Sequence, residues 1–199
     1  MKLLVFTRYP EPGKVKTRLV SALGNEEASR LHQEMTEHTV NTLSSAGAEL
    51  EIWFDGGDEK RMRAWLGENL QYKHQDQGDL GEKLQGAFAD AFHRHKGCVA
   101  AVGCDCPDLT AGHIQDAFSR LSECDVVLGP AVDGGYYLIG MRTLQASLFN
   151  NIDWGSEHVL QQTLSIAKKL GLKVGLLEKL TDVDRPEDLF AWIRRKNKY

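Results

Sequence analysis

A cluster of cationic side chains near the amino terminus is the part of the sequence best suited to chemistry. The segment 8–19 holds four Lys or Arg residues among two prolines and one glycine. Lys14, Lys16 and Arg18 alternate along the chain, so an extended segment would point all three at one anion. Ammonium and guanidinium groups bind phosphate oxygens through charge-assisted hydrogen bonds. We therefore expect this loop to bind a di- or triphosphate, with a solvated basic surface loop as the alternative.

An aspartate in the middle of the chain is a candidate metal ligand. Asp105 follows the apolar run 98–102 and Gly103, so it lies where a predicted strand ends. Carboxylate oxygens are preferred ligands of Mg²⁺ and Mn²⁺, which share the rest of their coordination shell with water and substrate phosphates. The alternative role for such a residue is to cap a turn. We expect that role, in a turn or at a helix cap, for Asp108 rather than for Asp105.

Two more aspartates lie close to the carboxyl terminus, just before a predicted helix. Glu187 and Asp188 fall in the first turn of that helix, where acidic side chains favour the helix dipole. Asp182 and Asp184 precede the helix and have no such explanation. Either could complete a metal site with Asp105, because one carboxylate rarely holds Mg²⁺ alone.

The glycine-rich segment 128–140 has two compatible interpretations. Asp133 and Gly134 form a dipeptide that is typical of a hairpin turn between two strands. With Gly135 and Tyr136 they also offer a carboxylate, backbone amides and a phenol, which suit binding of a polyhydroxylated or phosphorylated acceptor.

The four cysteines, Cys98, Cys104, Cys106 and Cys124, do not form a metal-binding or disulfide pattern. The Cys104-Asp-Cys106 spacing suggests zinc, but no second Cys or His pair follows at the spacing of a zinc finger. Disulfide frameworks are typical of small secreted scaffolds. We therefore expect reduced thiols in a cytoplasmic protein.

Apolar runs alternate with segments of helical period, and these elements must position the candidate residues. Strands are predicted at 2–6, 50–54, 70–74, 98–102, 125–128, 136–139 and 173–177, and helices at 26–45, 59–66, 81–95, 111–121, 156–170 and 186–196. Such alternation indicates βαβ crossovers and a mostly parallel sheet covered on both faces. Open sheets of this kind bind ligands at the carboxyl ends of their strands.

Composition limits the class of protein. The 199 residues are 42% hydrophobic and contain no low-complexity linker, so we expect one α/β domain spanning 1–199. The formal net charge of −4 argues against general nucleic-acid binding. The apolar runs are too short to span a bilayer, and the amino terminus lacks the pattern of a secretory signal. We expect neither nucleic acid nor a membrane as a partner, and the sequence predicts no oligomeric state.

Four motifs in order resemble a known family. They are Pro-x-Pro-Gly-x-x-Lys-Thr-Arg-Leu at 10–19, Gly-x-Asp-x-Pro-x-Leu at 103–109, Gly-Pro-Ala-x-Asp-Gly-Gly-Tyr-Tyr-Leu-Ile-Gly at 129–140 and Asp-x-Asp-x-Pro-Glu-Asp-Leu at 182–189. Together they are similar to the bacterial DUF2064 group of the nucleotide-diphospho-sugar transferase superfamily. This group is commonly labelled as glycosyltransferases, and it also resembles phospholactate guanylyltransferases and molybdenum-cofactor nucleotidyltransferases. The resemblance implies a single-domain GT-A/Rossmann-like three-layer sandwich with a mostly parallel central sheet.

The resemblance also implies roles for particular residues. A basic loop around donor phosphates would use Gly13, Lys14, Lys16 and Arg18. Asp105 would bind Mg²⁺ or Mn²⁺ together with Asp184, with Asp182 the less favoured second ligand, and Lys16, Arg18 and Asp105 would be catalytic. A loop near the nucleotide base would match Gln77, Gly78, Asp79 and Gly81. The acceptor side would be lined by Asp133, Gly134, Gly135 and Tyr136, with Trp154 and Ser156 starting the helix beyond it.

Three functions follow from these expectations. A glycosyltransferase would move a sugar from a sugar-nucleotide donor to a small-molecule acceptor, with nucleoside diphosphate as the leaving group. A nucleotidyltransferase would join a nucleoside triphosphate to a small phosphorylated molecule and release pyrophosphate, and the three loop cations and the Asp-x-x-Asp spacing of Asp105 and Asp108 favour this reaction. The whole-chain resemblance favours glycosyl transfer, which is the function that we expect, with nucleotidyl transfer as the alternative. The third function is nucleotide binding without turnover. Whichever holds, we expect replacement of Lys16 by Ala to weaken donor binding without changing the fold.

Overall fold

Strand β1 (Lys2–Arg8) lies in the interior of the sheet in the computed structural model, which describes residues 1–196. The other strands are β2 (Glu49–Asp55), β3 (Gln71–His74), β4 (Val99–Val102), β5 (Val126–Pro130), β6 (Tyr136–Met141) and β7 (Val174–Leu176). The helices are α1 (Val20–Leu43), α2 (Glu59–Leu66), α3 (Leu80–Arg94), α4 (Ala111–Arg120), α5 (Val159–Lys169) and α6 (Leu189–Lys196).

The strand order creates a switch point at the centre of the sheet. Over residues 1–196 the sheet has seven strands in the order β3-β2-β1-β4-β6-β5-β7. β6 is antiparallel to β4 and β5, and the remaining pairs are parallel. The chain leaves β1 toward β2 and later returns to pair β4 on the other side, so the carboxyl ends of β1 and β4 flank a crevice where such sheets bind ligands. The predicted mostly parallel α/β sheet is confirmed.

Buried strands require helices on both faces of the sheet, which gives three layers. Along β1, Leu3 and Val5 point to one face and pack with residues of α1, α2 and α4, while Leu4 points to the other face and packs with α3 and α5. All three of these β1 side chains are fully buried. Such two-sided burial is characteristic of parallel sheets and explains the continuous apolar runs of the sequence. No helix in the described part of the chain has the length and hydropathy needed to span a bilayer.

Some element boundaries differ from the predicted ones. The helix predicted from residue 26 begins at Val20, but Gly24 has a φ of 78° and interrupts the helical geometry, so the prediction found only the part after the break. The helix predicted from residue 156 begins at Val159. Near the carboxyl terminus, Pro186 opens a short 3₁₀ turn that precedes α6, as expected for proline at a helix start.

A buried ionic cluster joins the strands at the amino-terminal edge of the sheet, opposite the crevice. The Glu51 carboxylate is fully buried and accepts hydrogen bonds from Lys2 Nζ at 3.1 Å, from Trp53 Nε1 at 2.8 Å and from Arg94 at 2.9 and 3.1 Å. Burial opposes ionisation of Glu51, but Arg94 and Lys2 hold the pKa of this carboxyl below its usual value. The cluster therefore ties β1, β2 and α3 together.

We expect Glu51→Gln to lower the free energy of unfolding by about 3 kcal/mol, because it leaves the buried Lys2 ammonium without its buried counter-charge. The matched control is Glu49→Gln, since Glu49 also pairs with Lys2 but its side chain is half exposed, and it should cost under about 1 kcal/mol. Urea unfolding at neutral pH measures both.

The pH dependence provides a second check on this cluster. Because folding lowers the pKa of Glu51, its stabilising contribution is complete above the pKa of the unfolded chain and is lost as the pH falls through the folded-state pKa. The difference in free energy of unfolding between the wild type and Glu51→Gln should therefore become smaller at acidic pH. A gap that is constant or absent would contradict this role for Glu51.

Candidate functional site

A cavity of about 690 Å³ opens at the crevice between the carboxyl ends of β1 and β4. Of the predicted site residues, those that line it are Lys14, Lys16, Arg18, Gly78, Asp79, Asp105, Asp133, Gly135, Tyr136 and Asp184. Asp182, Trp154 and Ser156 also line it. Four motifs that are distant in the sequence therefore meet at one place, because each follows a strand that ends here or packs against one that does.

Lys16 is the central side chain of the basic loop. Its side chain is only 3% exposed, and Nζ lies 2.7 Å from Asp105 Oδ1 and donates to the Val183 carbonyl oxygen at 2.5 Å. A backbone hydrogen bond of 2.8 Å from Val183 N–H to the Asp105 carbonyl completes the connection. Lys16 thereby joins the loop after β1, the loop after β4 and the segment before α6.

The predicted extended conformation of residues 14–18 is wrong. Residues 12–14 form a turn, Lys16 has a left-handed backbone with φ of 47°, and a 3₁₀ turn covers Thr17–Leu19. The three cations therefore do not alternate along one strand. They still reach the same cavity, because the turn brings Lys14 and Arg18 to its rim while Lys16 points inward.

Each loop cation is paired with its own carboxylate. Arg18 pairs with Asp184, and Lys14 pairs with Glu11. Packing supports the first pair, because Leu19 and Val183, the residues next to Arg18 and Asp184, are fully buried in one apolar cluster with α1 and α6. Lys14 and Arg18 therefore each have a carboxylate partner within the protein.

The carboxylates differ in their electrostatic environments. Burial disfavours the charged form of Asp105, but the Lys16 ammonium holds the pKa of this carboxyl below its usual value. Burial raises the pKa of Asp182 to about 6, and the nearby negative charge of Asp133 adds to the effect. Asp105 is therefore ionised at neutral pH. Asp182 binds a proton at a higher pH than an ordinary aspartate does.

Asp133 and Gly134 form the predicted hairpin turn between β5 and β6. Asp133 Oδ1 accepts a hydrogen bond from Gly135 N–H at 2.8 Å, which fixes the turn. Gly134 has a φ of 93°, and a Cβ at this position would lie 2.2 Å from the Glu157 carbonyl oxygen. The glycine at 134 is required by this close contact with the backbone before α5, and Gly134 does not line the cavity.

Three other predicted glycine or amide positions lie behind or beside the cavity. Gly13, Gln77 and Gly81 are not among its lining residues. A Cβ at Gly81 would lie 2.5 Å from Trp154 Nε1, so this glycine makes room for the indole ring. Asp79 lines the cavity, but its carboxylate also caps α3 by accepting from Glu82 N–H at 2.9 Å. The main structural role of the loop 77–81 is therefore to begin and cap α3.

At the loop after β4, Thr110 caps α4 by accepting from His113 N–H. Asp108 lies in the turn at residues 107–108, as expected, but it does not cap α4, and its side chain contacts Arg194 at 3.4 Å.

Lys83 and His32 are among the lining residues that the sequence analysis did not assign to the site. Lys83 of α3 lies 2.9 Å from Asp55 at the end of β2, where Arg8 also approaches Asp55 at 3.5 Å. His32 of α1 is buried and contacts the Arg8 carbonyl oxygen at 2.9 Å, and burial lowers its pKa. His32 could have been found as a polar residue on the buried stripe of α1, but the position of Lys83 depends on how α3 packs.

The carboxylates suit a divalent metal that also binds phosphate. The Asp105 side chain is 49% exposed, with Lys16 Nζ 2.7 Å from Oδ1. Asp184 follows Val183, whose N–H donates to the Asp105 carbonyl oxygen. Within residues 1–196 no group of three or more His, Cys, Asp or Glu side chains is arranged to hold a metal ion. The donor set therefore fits Mg²⁺ or Mn²⁺ bound by one or two carboxylates, with ligand phosphates and water completing the shell.

Comparison with known proteins decides the family. A family model described as "Uncharacterized protein conserved in bacteria (DUF2064)" matches residues 39–156. The chain belongs to the DUF2064 family. No match was found among curated proteins.

Solved structures share the fold over the whole chain. A Desulfovibrio desulfuricans G20 protein, named as a nucleotide-diphospho-sugar transferase, is 37% identical over 99% of this chain and 87% of its own, with a TM-score of 0.93. A nucleotidyl transferase from Methanothermobacter thermautotroptrophicus is 14% identical over 100% and 99%, with a TM-score of 0.68. Rv0371c from Mycobacterium tuberculosis H37Rv, solved with manganese, is 14% identical over 100% and 99%, with a TM-score of 0.60. The predicted family and fold class are thus confirmed.

The burial of Lys16 changes the effect expected for its replacement. We now expect Lys16→Ala to lower the free energy of unfolding by about 2 kcal/mol, because it leaves Asp105 and the Val183 carbonyl without their buried partner. Lys14→Ala is the control, since this side chain is 75% exposed, and it should cost less than about 0.5 kcal/mol. Equal unfolding midpoints for the two variants in denaturant would show that Lys16 has no structural role.

The pairing of Arg18 with Asp184 predicts that an internal anion competes with bound phosphate. In EDTA, Asp184→Asn should bind inorganic pyrophosphate about three- to tenfold more tightly than the wild type, because Arg18 is released from its carboxylate. Asp108→Asn removes the same charge outside the cavity and should leave the affinity unchanged. Isothermal calorimetry measures both, and weaker binding by Asp184→Asn would refute the competition.

Proposed function

We propose that this DUF2064 protein is a metal-dependent nucleotide-diphospho-sugar transferase that moves a glycosyl group from a sugar nucleotide to a small acceptor. The observation that carries the proposal is the direct pairing of two cations with two candidate metal ligands, Lys16 with Asp105 and Arg18 with Asp184, inside one cavity at the sheet switch point. Cations and acidic residues that share a site are what a metal-bound diphosphate needs.

The basic side of the cavity would hold the donor diphosphate. Lys14 and Arg18 lie at the rim, where they can exchange an internal carboxylate for a phosphate oxygen. Lys16 is fixed more deeply and supplies positive charge without moving. A divalent ion held by Asp105 and Asp184 would neutralise charge on the diphosphate. The nucleotide part would extend toward Gly78, Asp79 and Lys83, which line the cavity.

The proposed step is a displacement at the anomeric carbon. An acceptor hydroxyl oxygen forms the new glycosidic bond while the bond from the anomeric carbon to the β-phosphate oxygen breaks, and the nucleoside diphosphate leaves with the bonding electrons. Lys16 and Arg18 stabilise the negative charge that grows on the leaving diphosphate. The hydroxyl proton goes to Asp182, whose pKa near 6 makes it a better proton acceptor than an ordinary aspartate.

The identity of 37% with the Desulfovibrio protein over nearly the whole chain supports glycosyl transfer over the alternative. The alternative is nucleotidyl transfer from a nucleoside triphosphate to a phosphorylated small molecule with release of pyrophosphate. The observation in its favour is the number of cations on one side of the cavity, since Arg8 and Lys83 add to the three loop cations and suit a longer phosphate chain.

Product analysis tests the proposal. Purified protein is incubated with a panel of sugar nucleotides and, separately, of nucleoside triphosphates, each with Mn²⁺, with Mg²⁺ and with EDTA. We expect metal-dependent release of nucleoside diphosphate from at least one sugar nucleotide, because an active site without its acceptor still allows water to attack slowly. Pyrophosphate release from a triphosphate, with sugar nucleotides intact, would replace the proposal by the alternative.

A variant pair assigns the turnover to this cavity. Asp105→Asn should reduce the release about 100-fold or more by removing charge from the metal and from Lys16, whereas Asp153→Asn, an exposed residue outside the cavity, should leave the rate unchanged. Metal-dependent binding of a nucleotide without any product would identify a binding module instead of an enzyme. A rate that survives Asp105→Asn would place the chemistry elsewhere.

A further inference from the structure

Two cations of the protein contact the carboxylates that are its candidate metal ligands. Lys16 Nζ lies 2.7 Å from Asp105 Oδ1, and Arg18 Nη1 contacts Asp184 Oδ2. A divalent ion at these two carboxylates would therefore lie beside an ammonium and a guanidinium, whose like charges oppose its binding. The internal ion pairs and a metal ion thus compete for the same carboxylates.

The pair between Lys16 and Asp105 leaves room for a metal ion. The Lys16 side chain is only 3% exposed, and Nζ also donates to the Val183 carbonyl oxygen at 2.5 Å, so this cation is fixed. The Asp105 side chain is 49% exposed. Asp105 can therefore bind a second cation while it keeps its contact with Lys16.

The pair between Arg18 and Asp184 controls access to the second carboxylate. The side chain of Arg18 is 55% exposed, whereas that of Asp184 is 31% exposed. The backbone at Asp184 is fixed, because Asp188 Oδ2 accepts from the N–H groups of Asp184 at 3.2 Å and Arg185 at 2.8 Å. The long, exposed guanidinium side chain is therefore the part of the pair that can move.

A diphosphate offers the Arg18 guanidinium another anionic partner. Arg18 lines the cavity together with Lys14 and Lys16. Guanidinium groups bind phosphate oxygens through paired, charge-assisted hydrogen bonds, which are stronger than an exposed ion pair with a carboxylate. When the guanidinium turns to a phosphate, the Asp184 carboxylate becomes available to a divalent ion that contacts the same phosphate.

We infer that Arg18 couples metal binding to diphosphate binding at this site. Without a diphosphate its guanidinium holds Asp184 and weakens the binding of a divalent ion, and with a diphosphate it moves to the phosphate and opens Asp184. Because such coupling is reciprocal, a bound ion also favours the form in which Arg18 contacts phosphate. The inference rests on the proposed transferase function and deepens it by naming how its metal site is regulated.

Binding of Mn²⁺ alone tests the first half of the coupling. The electron paramagnetic resonance signal of free Mn²⁺ is followed during titration of the protein at neutral pH without any nucleotide. Arg18→Gln should bind Mn²⁺ about three- to tenfold more tightly than the wild type, because Asp184 loses its internal cation. An arginine that only supports the fold would give weaker binding when replaced.

Arg8→Gln is the matched control for this titration. Arg8 also lines the cavity and its side chain is 57% exposed, but it pairs with Asp55, which is not a candidate metal ligand. Its replacement should leave the Mn²⁺ affinity within about twofold of the wild type, because the charge that it removes acts from a greater distance. An affinity of Arg18→Gln that does not exceed that of Arg8→Gln overturns the inference, and so does undetectable binding by Arg18→Gln.

A double variant locates the gain, and pyrophosphate tests the second half of the coupling. Adding Asp184→Asn to Arg18→Gln should abolish the gain in Mn²⁺ affinity, and a gain that persists overturns the inference. In EDTA, Arg18→Gln should bind inorganic pyrophosphate about tenfold less tightly by calorimetry, because the guanidinium contacts are lost. Unchanged pyrophosphate affinity would show that Arg18 does not move to phosphate and would also overturn the inference.

Failure of the coupling and failure of the proposed function give different results. Metal-dependent release of nucleoside diphosphate by the wild type, together with an unchanged Mn²⁺ affinity in Arg18→Gln, refutes the coupling and leaves the transferase in place. Tighter Mn²⁺ binding and weaker pyrophosphate binding by Arg18→Gln, without product from any sugar nucleotide, support the coupling and refute glycosyl transfer.

Discussion

The buried ammonium of Lys16 is the interaction on which the geometry of the cavity depends. It cannot remain charged inside the protein without partners, and its partners are the Asp105 carboxylate and the Val183 carbonyl oxygen. These groups belong to three loops that are far apart in sequence. Because the Lys16 ammonium contacts both partners, it connects the basic loop to the candidate metal ligand and to the segment that holds Asp182 and Asp184. The apolar contact between Leu19 and Val183 adds to the same connection.

The burial of Lys16 predicts that stability and ligand binding are coupled at the crevice. A solvent-exposed lysine could bind phosphate and be lost without structural cost, but one that is 3% exposed is part of the interior. Arg18 and Lys14 are different, because their ion pairs lie at the surface, where such pairs contribute little. The loop thus combines one fixed cation with two that can exchange partners.

Sequence reasoning found the elements and the composition of the site because both leave periodic or local signals. Continuous apolar runs, which are typical of strands buried on both faces, identified β1 and β4. The residues that follow parallel strands lie at one edge of the sheet. The conformation of the basic loop was not predictable in the same way, since the left-handed backbone of Lys16 results from its tertiary partners rather than from a local preference. The glycines at 81 and 134 were assigned to a ligand, but they make room for Trp154 and for the backbone of Glu157. A sequence indicates that a Cβ is absent, but not what fills the space.

The buried Glu51 cluster lies at the amino-terminal edge of the sheet, whereas the cavity lies at the carboxyl-terminal edge. Much of the structural tie between β1, β2 and α3 is therefore remote from the groups that contact a ligand. During evolution, the hairpin turn and the segment around Trp154 can change to accept a different molecule without disturbing that tie. Under the proposed function, descendants of such a chain can diversify their acceptors faster than their architecture, and the retention of the sheet at 37% identity with the Desulfovibrio protein is compatible with that freedom.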